Sequence, residues 1–359
     1  MKSNKNDTST FRHELSLIDS IYADSEFKMP IRYVLGLTND CNLDCPFCFL
    51  EKHKGQFRME LDDWKRIIDQ LPNYARVILF GGEPLFYKHF DEIYAYLSKR
   101  FKCTVVTNGT LLTPKKIKYL LSHDGLEEIA VSIDCIGNHN RDFKDRQWTR
   151  LVNSIKLFND MRKEMKNPPR LGISTVILDE TASNLFDLHR YIHEELNCDH
   201  VTYCTLNGTA MQLSDRMQPY ESLFTPEVPP LYKNWEQIVS MLEKIRSYNK
   251  EHNIQSYFRP KLIDFNQDEP ISALTPLNQT QFDKERFGPC KIPWSDCRVY
   301  SDGSVTNCLG VKLGNAKTQP ELSTILKGPV STQFRKDIKE YNFFEKCSRC
   351  VFLYDCQFE

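Results

Sequence analysis

The chain has 359 residues, 40% of them hydrophobic and 26% charged, enough apolar material for a sizeable core in one large domain or two. A formal net charge of −1 leaves no electrostatic footprint for nucleic acid or an anionic membrane surface. No apolar run approaches the roughly 18 residues that span a bilayer, and residues 1–30 hold no signal-peptide core, which points to the cytoplasm.

In chain order, residues 1–30 form a polar extension with a short covering helix over Phe11–Tyr22. They are too short for a separate peptide-recognition domain. Arg32–Thr38 reads as a strand and runs straight into Cys41-Asn42-Leu43-Asp44-Cys45-Pro46-Phe47-Cys48. Strand and helix patterns then alternate. A helix over Leu61–Leu71 precedes a strand at Arg76–Phe80, and a helix at Phe90–Leu97 precedes a strand at Cys103–Thr107. Thr113-Pro114 opens the next helix with an N-cap and a first-turn proline. Strands at Glu128–Ile133, Leu171–Ile177 and His200–Thr205 are each followed by a helix, over Trp148–Met165, Ala182–Leu196 and about 231–252. Six such units in a row require a mainly parallel sheet with helices outside it, and ligands at the carboxyl ends of its strands. Residues 253–285 are rich in proline and polar residues without a sustained period and read as a linker to a second unit at 286–359.

Thirteen cysteines are too many for casual packing, and without a secretion signal they favour metal ligation over disulfides. Three lie at 41–48 and six at 290–356. Cys103, Cys198 and Cys204 lie in or beside apolar strand-like runs and read as small core residues. Thiolates are soft ligands that select zinc or iron–sulfur clusters. Closed zinc sites and ordinary ferredoxin clusters take four protein ligands, so three cysteines on one tight loop leave a metal position open. Three buried thiols, or a zinc loop borrowing a distant fourth ligand, are the alternatives.

The C-x3-C-x2-C loop resembles the signature of the radical S-adenosylmethionine (SAM) enzymes. The resemblance implies a partial (β/α)6 barrel over 31–252, in which Cys41, Cys45 and Cys48 hold a [4Fe-4S] cluster whose fourth iron SAM chelates. It further implies reductive cleavage of SAM to a 5′-deoxyadenosyl radical that abstracts a hydrogen atom from substrate. Phe47 stands where the family carries an aromatic residue beside the adenine. Gly81-Gly82-Glu83-Pro84 is similar to the family's GGE motif, which receives the SAM amino group, and Thr107-Asn108-Gly109 is similar to a turn lining the site. Ser132 matches the serine that binds the ribose or methionine part of SAM, Asp134 a wall of the loop, and Leu206 an apolar contact to adenine. Cys135 replaces a glycine usual in relatives. The arginine that usually holds the SAM carboxylate is replaced by Phe143, leaving Arg141 or Arg146 to supply the charge.

The second half resembles the SPASM/twitch extension, which holds one or two auxiliary [4Fe-4S] clusters. Cys290-x12-Gly303-x4-Cys308 encloses a hairpin pattern, Arg298–Thr306, around Asp302-Gly303, and Cys347-x2-Cys350-x5-Cys356 follows. A zinc ribbon is the alternative, since a hairpin plus C-x2-C is also zinc-like. One twitch-like cluster would use Cys290, Cys308, Cys347 and Cys350, with Cys297 and Cys356 ligands if a second site exists. The full family pattern continues with a further cysteine one position beyond Glu359.

SPASM enzymes act mostly on peptides or proteins, so the expected function is modification of a ribosomally made peptide by crosslinking, epimerisation or oxidation. A reducing partner such as flavodoxin or ferredoxin is also implied. Leu309 occupies the place where sulfatase-maturing members carry an aspartate, which ranks that activity low. Oxidation of a small molecule is the alternative, and an iron–sulfur scaffold or redox sensor that never cleaves SAM is a third reading. The GGE motif and Ser132 argue against the third.

Overall fold

The computed structural model describes residues 16–24, 26–48, 58–137, 144–206, 232–259, 271, 278, 289–308, 311–344, 347 and 350. Its centre is a parallel sheet built in chain order from β1 (Arg32–Gly36), β2 (Arg76–Phe80), β3 (Lys102–Thr107), β4 (Leu126–Ser132), β5 (Arg170–Val176) and β6 (His200–Cys204). Each strand pairs in parallel with the one before it. A doubly wound sheet reverses its order at a switch point. This one never does, so every crossover steps the same way and the sheet winds as a barrel wall. It does not close. A seventh parallel strand, β7 (Gln255–Arg259), ends it beyond β6, and the free side of β1 is taken by β8 (Asp296–Val299).

The helices follow the expected period. Helix α1 covers residues 16–23. Helix α2 (Leu61–Asp69) buries Trp64, Ile67 and Ile68 at helical spacing. Helices α3 (Phe90–Leu97), α4 (Pro114–Leu121), α5 (Asp145–Lys163), α6 (Leu185–Glu194) and α7 (Trp235–His252) complete the units. The Thr113 hydroxyl accepts from the Lys116 N–H at 3.2 Å, with Pro114 in the first turn, as the sequence predicts. The helix expected over Ala182–Leu196 begins as a 3-10 turn, Asp179–Asn184, before α6.

The reading of 253–285 as a linker gives way at β7. Only Ser256 and Phe258 of its five residues are buried, so its apolar signal is too thin to stand out from polar neighbours. The connectivity of the C-terminal part is not announced by the sequence. After α8 (Ile292–Ser295), the predicted hairpin forms as β8 and β9 (Ser304–Thr306), extended by β10 (Lys312–Asn315). It is not a detached unit, because β8 continues the barrel sheet through β1. The seam is pinned by Asp296, which is fully buried and pairs with Arg32 at 2.9 Å and Arg298 at 3.2 Å. Helices α9 (Leu322–Leu326) and α10 (Pro329–Tyr341) follow. A second apolar cluster, formed by Ile21, Ile31, Trp294, Val311, Phe334, Ile338 and Phe344, binds α1 to this C-terminal part.

Candidate functional site at the carboxyl ends of the strands

The chain leaves β1 through Leu37 and Thr38 and reaches Cys41, while β2 ends in Gly81-Gly82-Glu83 beside it. The two loops are stitched by backbone hydrogen bonds, Gly82 N–H to Thr38 O at 2.6 Å and Glu83 N–H to Asp40 O at 2.9 Å. That closeness dictates the glycines. Gly81 has φ +147°, and a Cβ on Gly82 would lie 2.3 Å from the Asp40 carbonyl oxygen. Arg58 pairs with Asp40 and anchors the same loop from outside.

Glu83 points inward and is fully buried. Its carboxylate accepts from the Thr107 hydroxyl at 2.7 Å, from the Asn108 N–H at 2.7 Å and from the Leu85 N–H at 3.1 Å. Burial pushes its pKa up to about 7 despite these three donors. The side chain is thereby committed to tying the end of β2 to the turn after β3. A ligand meeting this motif meets its backbone.

Within the cysteine loop, Cys41 and Cys45 are half-buried against the main core, whereas Cys48 is exposed and Phe47 half-buried. Leu43 is buried beneath, with its N–H 3.4 Å from the Cys41 sulfur. Ser132 ends β4 half-buried, its strand paired with Ser174 of β5. Asp134 is buried and accepts from the Val176 N–H at 2.7 Å, which fixes the loop after β4 to the end of β5. Leu206 follows β6, and its N–H donates to the Tyr232 hydroxyl at 2.5 Å while that hydroxyl donates to the Ile177 carbonyl at 2.9 Å. Tyr232 is a wall residue that sequence reasoning missed, since nothing local marks it. Arg141, Phe143 and Leu309 lie outside the described residues, as does Cys356; Arg146 sits on α5.

The C-terminal hairpin meets this edge directly. The Ser301 hydroxyl donates to Asn39 Oδ1 at 3.2 Å, and the Met59 N–H donates to Ser301 O at 2.7 Å. Gly303, with φ +83°, makes the turn. Cys290 and Cys347 pack against both apolar clusters, Cys308 against the second and Cys350 against the first, so these four line the seam between them. Cys297 differs in kind. It is fully buried on β8 opposite Tyr33, and burial pushes its thiol pKa up, the condition of a core thiol. Cys103 and Cys198 are likewise buried, with burial pushing Cys103 to about 12.

Among the described residues, no three His, Cys, Asp or Glu side chains converge on a single metal-ion position. A cluster whose irons each take one thiolate does not require them to converge. The soft donor set and the glycine cradle beside it suit an iron–sulfur cluster and a ligand bound by backbone.

Residues 35–192 match the Radical SAM superfamily and residues 290–351 the SPASM iron-sulfur cluster-binding domain. The chain is 29% identical over 143 residues to the antilisterial bacteriocin subtilosin biosynthesis protein AlbA of Bacillus subtilis, covering 38% of this chain and 32% of that protein. It is 36% identical over 125 residues to the Fe-coproporphyrin III synthase of Methanosarcina barkeri, covering 33% and 31%. The chain thus spans about a third of the length of these curated relatives. In fold it is similar to Streptococcus suis SuiB bound to the precursor peptide SuiA, with a TM-score of 0.63 at 16% identity over 98% of this chain and 77% of that one. With the two domain matches falling on the strand-end cysteine loop and the C-terminal hairpin, this chain carries a radical SAM domain followed by a SPASM domain, and the cofactors these domains imply are [4Fe-4S] clusters and SAM.

Proposed function

We propose that this protein is a radical SAM enzyme that modifies a ribosomally made peptide. The observation that carries the reading is the gathering of the cysteine loop, the Gly81-Gly82-Glu83 backbone and the ends of β3 to β6 on one sheet edge, against which the C-terminal hairpin docks. Cys41, Cys45 and Cys48 would hold the first cluster, and Cys290, Cys308, Cys347 and Cys350 one auxiliary cluster at the seam. The cofactors, when bound, supply one-electron cleavage of the SAM sulfonium and removal of a hydrogen atom from the substrate.

The chain's own residues do the rest. Gly82 and Glu83 would offer backbone carbonyls to the SAM amino group, while the Glu83 side chain holds the neighbouring turn in place. Ser132, at the end of β4, and Leu206, just after β6, would bound the sugar and adenine. Asp134 and Tyr232 keep the ends of β4, β5 and β6 in register, so the wall is rigid before SAM arrives.

The peptide substrate class is supported by AlbA and by the SuiB–SuiA complex. Likeness to Fe-coproporphyrin III synthase supports a small-molecule substrate as the second reading. The test is anaerobic reconstitution followed by SAM and dithionite, read as 5′-deoxyadenosine, then mass spectrometry of candidate precursor peptides. Cys45→Ala is expected to abolish 5′-deoxyadenosine while leaving auxiliary iron bound. Full cleavage in that variant defeats the site assignment, and unmodified peptides with a consumed small molecule favour the second reading.

A further inference from the structure

The turn after β3 does something its sequence does not announce. The side-chain amide of Asn108 faces the cysteine loop and is fully committed. Its Oδ1 accepts from the Thr110 N–H at 2.9 Å and from the Thr110 hydroxyl at 2.6 Å. Its Nδ2 donates to Asn42 Oδ1 at 3.0 Å and to the Cys41 sulfur at 3.7 Å. Asn42 in turn donates from Nδ2 to the Thr110 hydroxyl at 2.7 Å. Asn108, Asn42 and Thr110 therefore form a closed ring of side-chain hydrogen bonds.

The orientation of this amide is not a free choice. A primary amide has two acceptor sites and two donors. The Thr110 backbone N–H can only donate, so the atom it meets must be the Asn108 oxygen, and the nitrogen must face Cys41. The backbone beneath is equally fixed, with the Asn108 N–H on buried Glu83 and the Gly109 N–H on the Thr107 hydroxyl at 2.9 Å. Gly109 has φ +76°, and a Cβ there would lie 2.3 Å from Leu151, so the turn has one geometry.

We propose that Asn108 is a positioning residue that acts through Cys41: it donates an N–H to the sulfur and raises the reduction potential of the cluster that Cys41 ligates. This rests on the assignment of Cys41 as a ligand. A hydrogen bond to a ligand sulfur stabilises the state with more negative charge on the cluster, which is the reduced state, and such bonds are among the factors that set iron–sulfur potentials. All four positions of the amide are used, so Asn108 serves the cluster loop and has none left for SAM.

The test is an EPR-monitored redox titration of the reconstituted full-length protein, following the signal that changes on adding SAM. In Asn108→Ala, and in Asn108→Ser, whose side chain cannot reach Cys41, the reduced-to-oxidised ratio at fixed potential is expected to fall about three- to tenfold, tenfold being 59 mV for a one-electron couple. Thr110→Val opens the ring but keeps the backbone N–H that orients the amide, and is expected to stay near the wild-type potential. An unchanged ratio in both Asn108 variants at full iron content overturns the proposal. So does an equal shift in Thr110→Val, which would make the ring merely structural. A wild-type protein with no SAM-sensitive signal overturns the ligand assignment itself.

Discussion

Gly82 carries a large structural burden for a residue without a side chain. Its missing Cβ is what lets the second strand's loop lie against Asp40, the residue before the first cysteine. Gly82→Ala pushes a methyl group to 2.3 Å from a backbone oxygen that cannot rotate away. Overpacking of this kind costs about 1–3 kcal/mol, small enough for the chain to remain folded. The variant is expected to keep its far-UV circular dichroism while SAM affinity falls at least about tenfold, matching a loss of about 1.4 kcal/mol. Unchanged SAM binding by equilibrium dialysis would mean that SAM is held elsewhere. Glu83 shows why motif reading stops short at this scale. Its position was legible, but its carboxylate is consumed by Thr107, Asn108 and Leu85. Only the meeting of two strand ends in space reveals that. Asn108 is the same case, since Asn42 and Thr110 give no sign in sequence that they will close a ring around it.

Among the elements, β1 to β6 were legible because each is an apolar run followed by a helix with clear periodicity. The hairpin of β8 and β9 was legible from Asp302-Gly303. Two things were not. Strand β7 alternates exposed and buried positions over five residues only, one of its two buried residues being the polar Ser256, and the parallel pairing of β8 with β1 leaves no local trace. That pairing depends on Asp296, a buried carboxylate shared by Arg32 on the neighbouring strand and Arg298 on its own. Asp296→Ala removes the buried carboxylate that Arg32 and Arg298 share, a loss of about 3–5 kcal/mol for a broken buried pair. The urea midpoint should fall accordingly, with the deficit present even before iron is loaded. A midpoint within experimental error of wild type would show that the two guanidinium groups reach solvent when released.

The whole molecule carries a pH liability on the outer side of the sheet. His189 is completely buried between Tyr203 at 2.7 Å and Asn249 at 2.8 Å, with His193 stacked edge-on at 4.6 Å. Burial pushes the pKa of His189 down to about 3 and that of His193 down to about 4. Both are neutral in the folded chain, while in the unfolded chain they take up protons below about pH 6.5. Their contribution is therefore intact above about pH 6.5 and drains away as the pH falls toward 4 and then 3. The urea midpoint is expected to be lower at pH 5 than at pH 7.5, and His193→Gln should narrow that difference. An identical midpoint at the two pH values in the wild type would show that neither imidazole is held neutral.

The place of β1 in the sheet also governs how the polypeptide is made. Arg32 leaves the ribosome early, yet its partner Asp296 stands 264 positions later. Until then one flank of β1, with buried Tyr33 and Leu35 along it, presents open backbone groups to any passing strand. Such long-range closure is slow and leaves nascent chains prone to aggregate. Translation arrested before residue 296 should thus yield chaperone-bound or insoluble fragments, even though every barrel strand from β1 to β7 has already been synthesised.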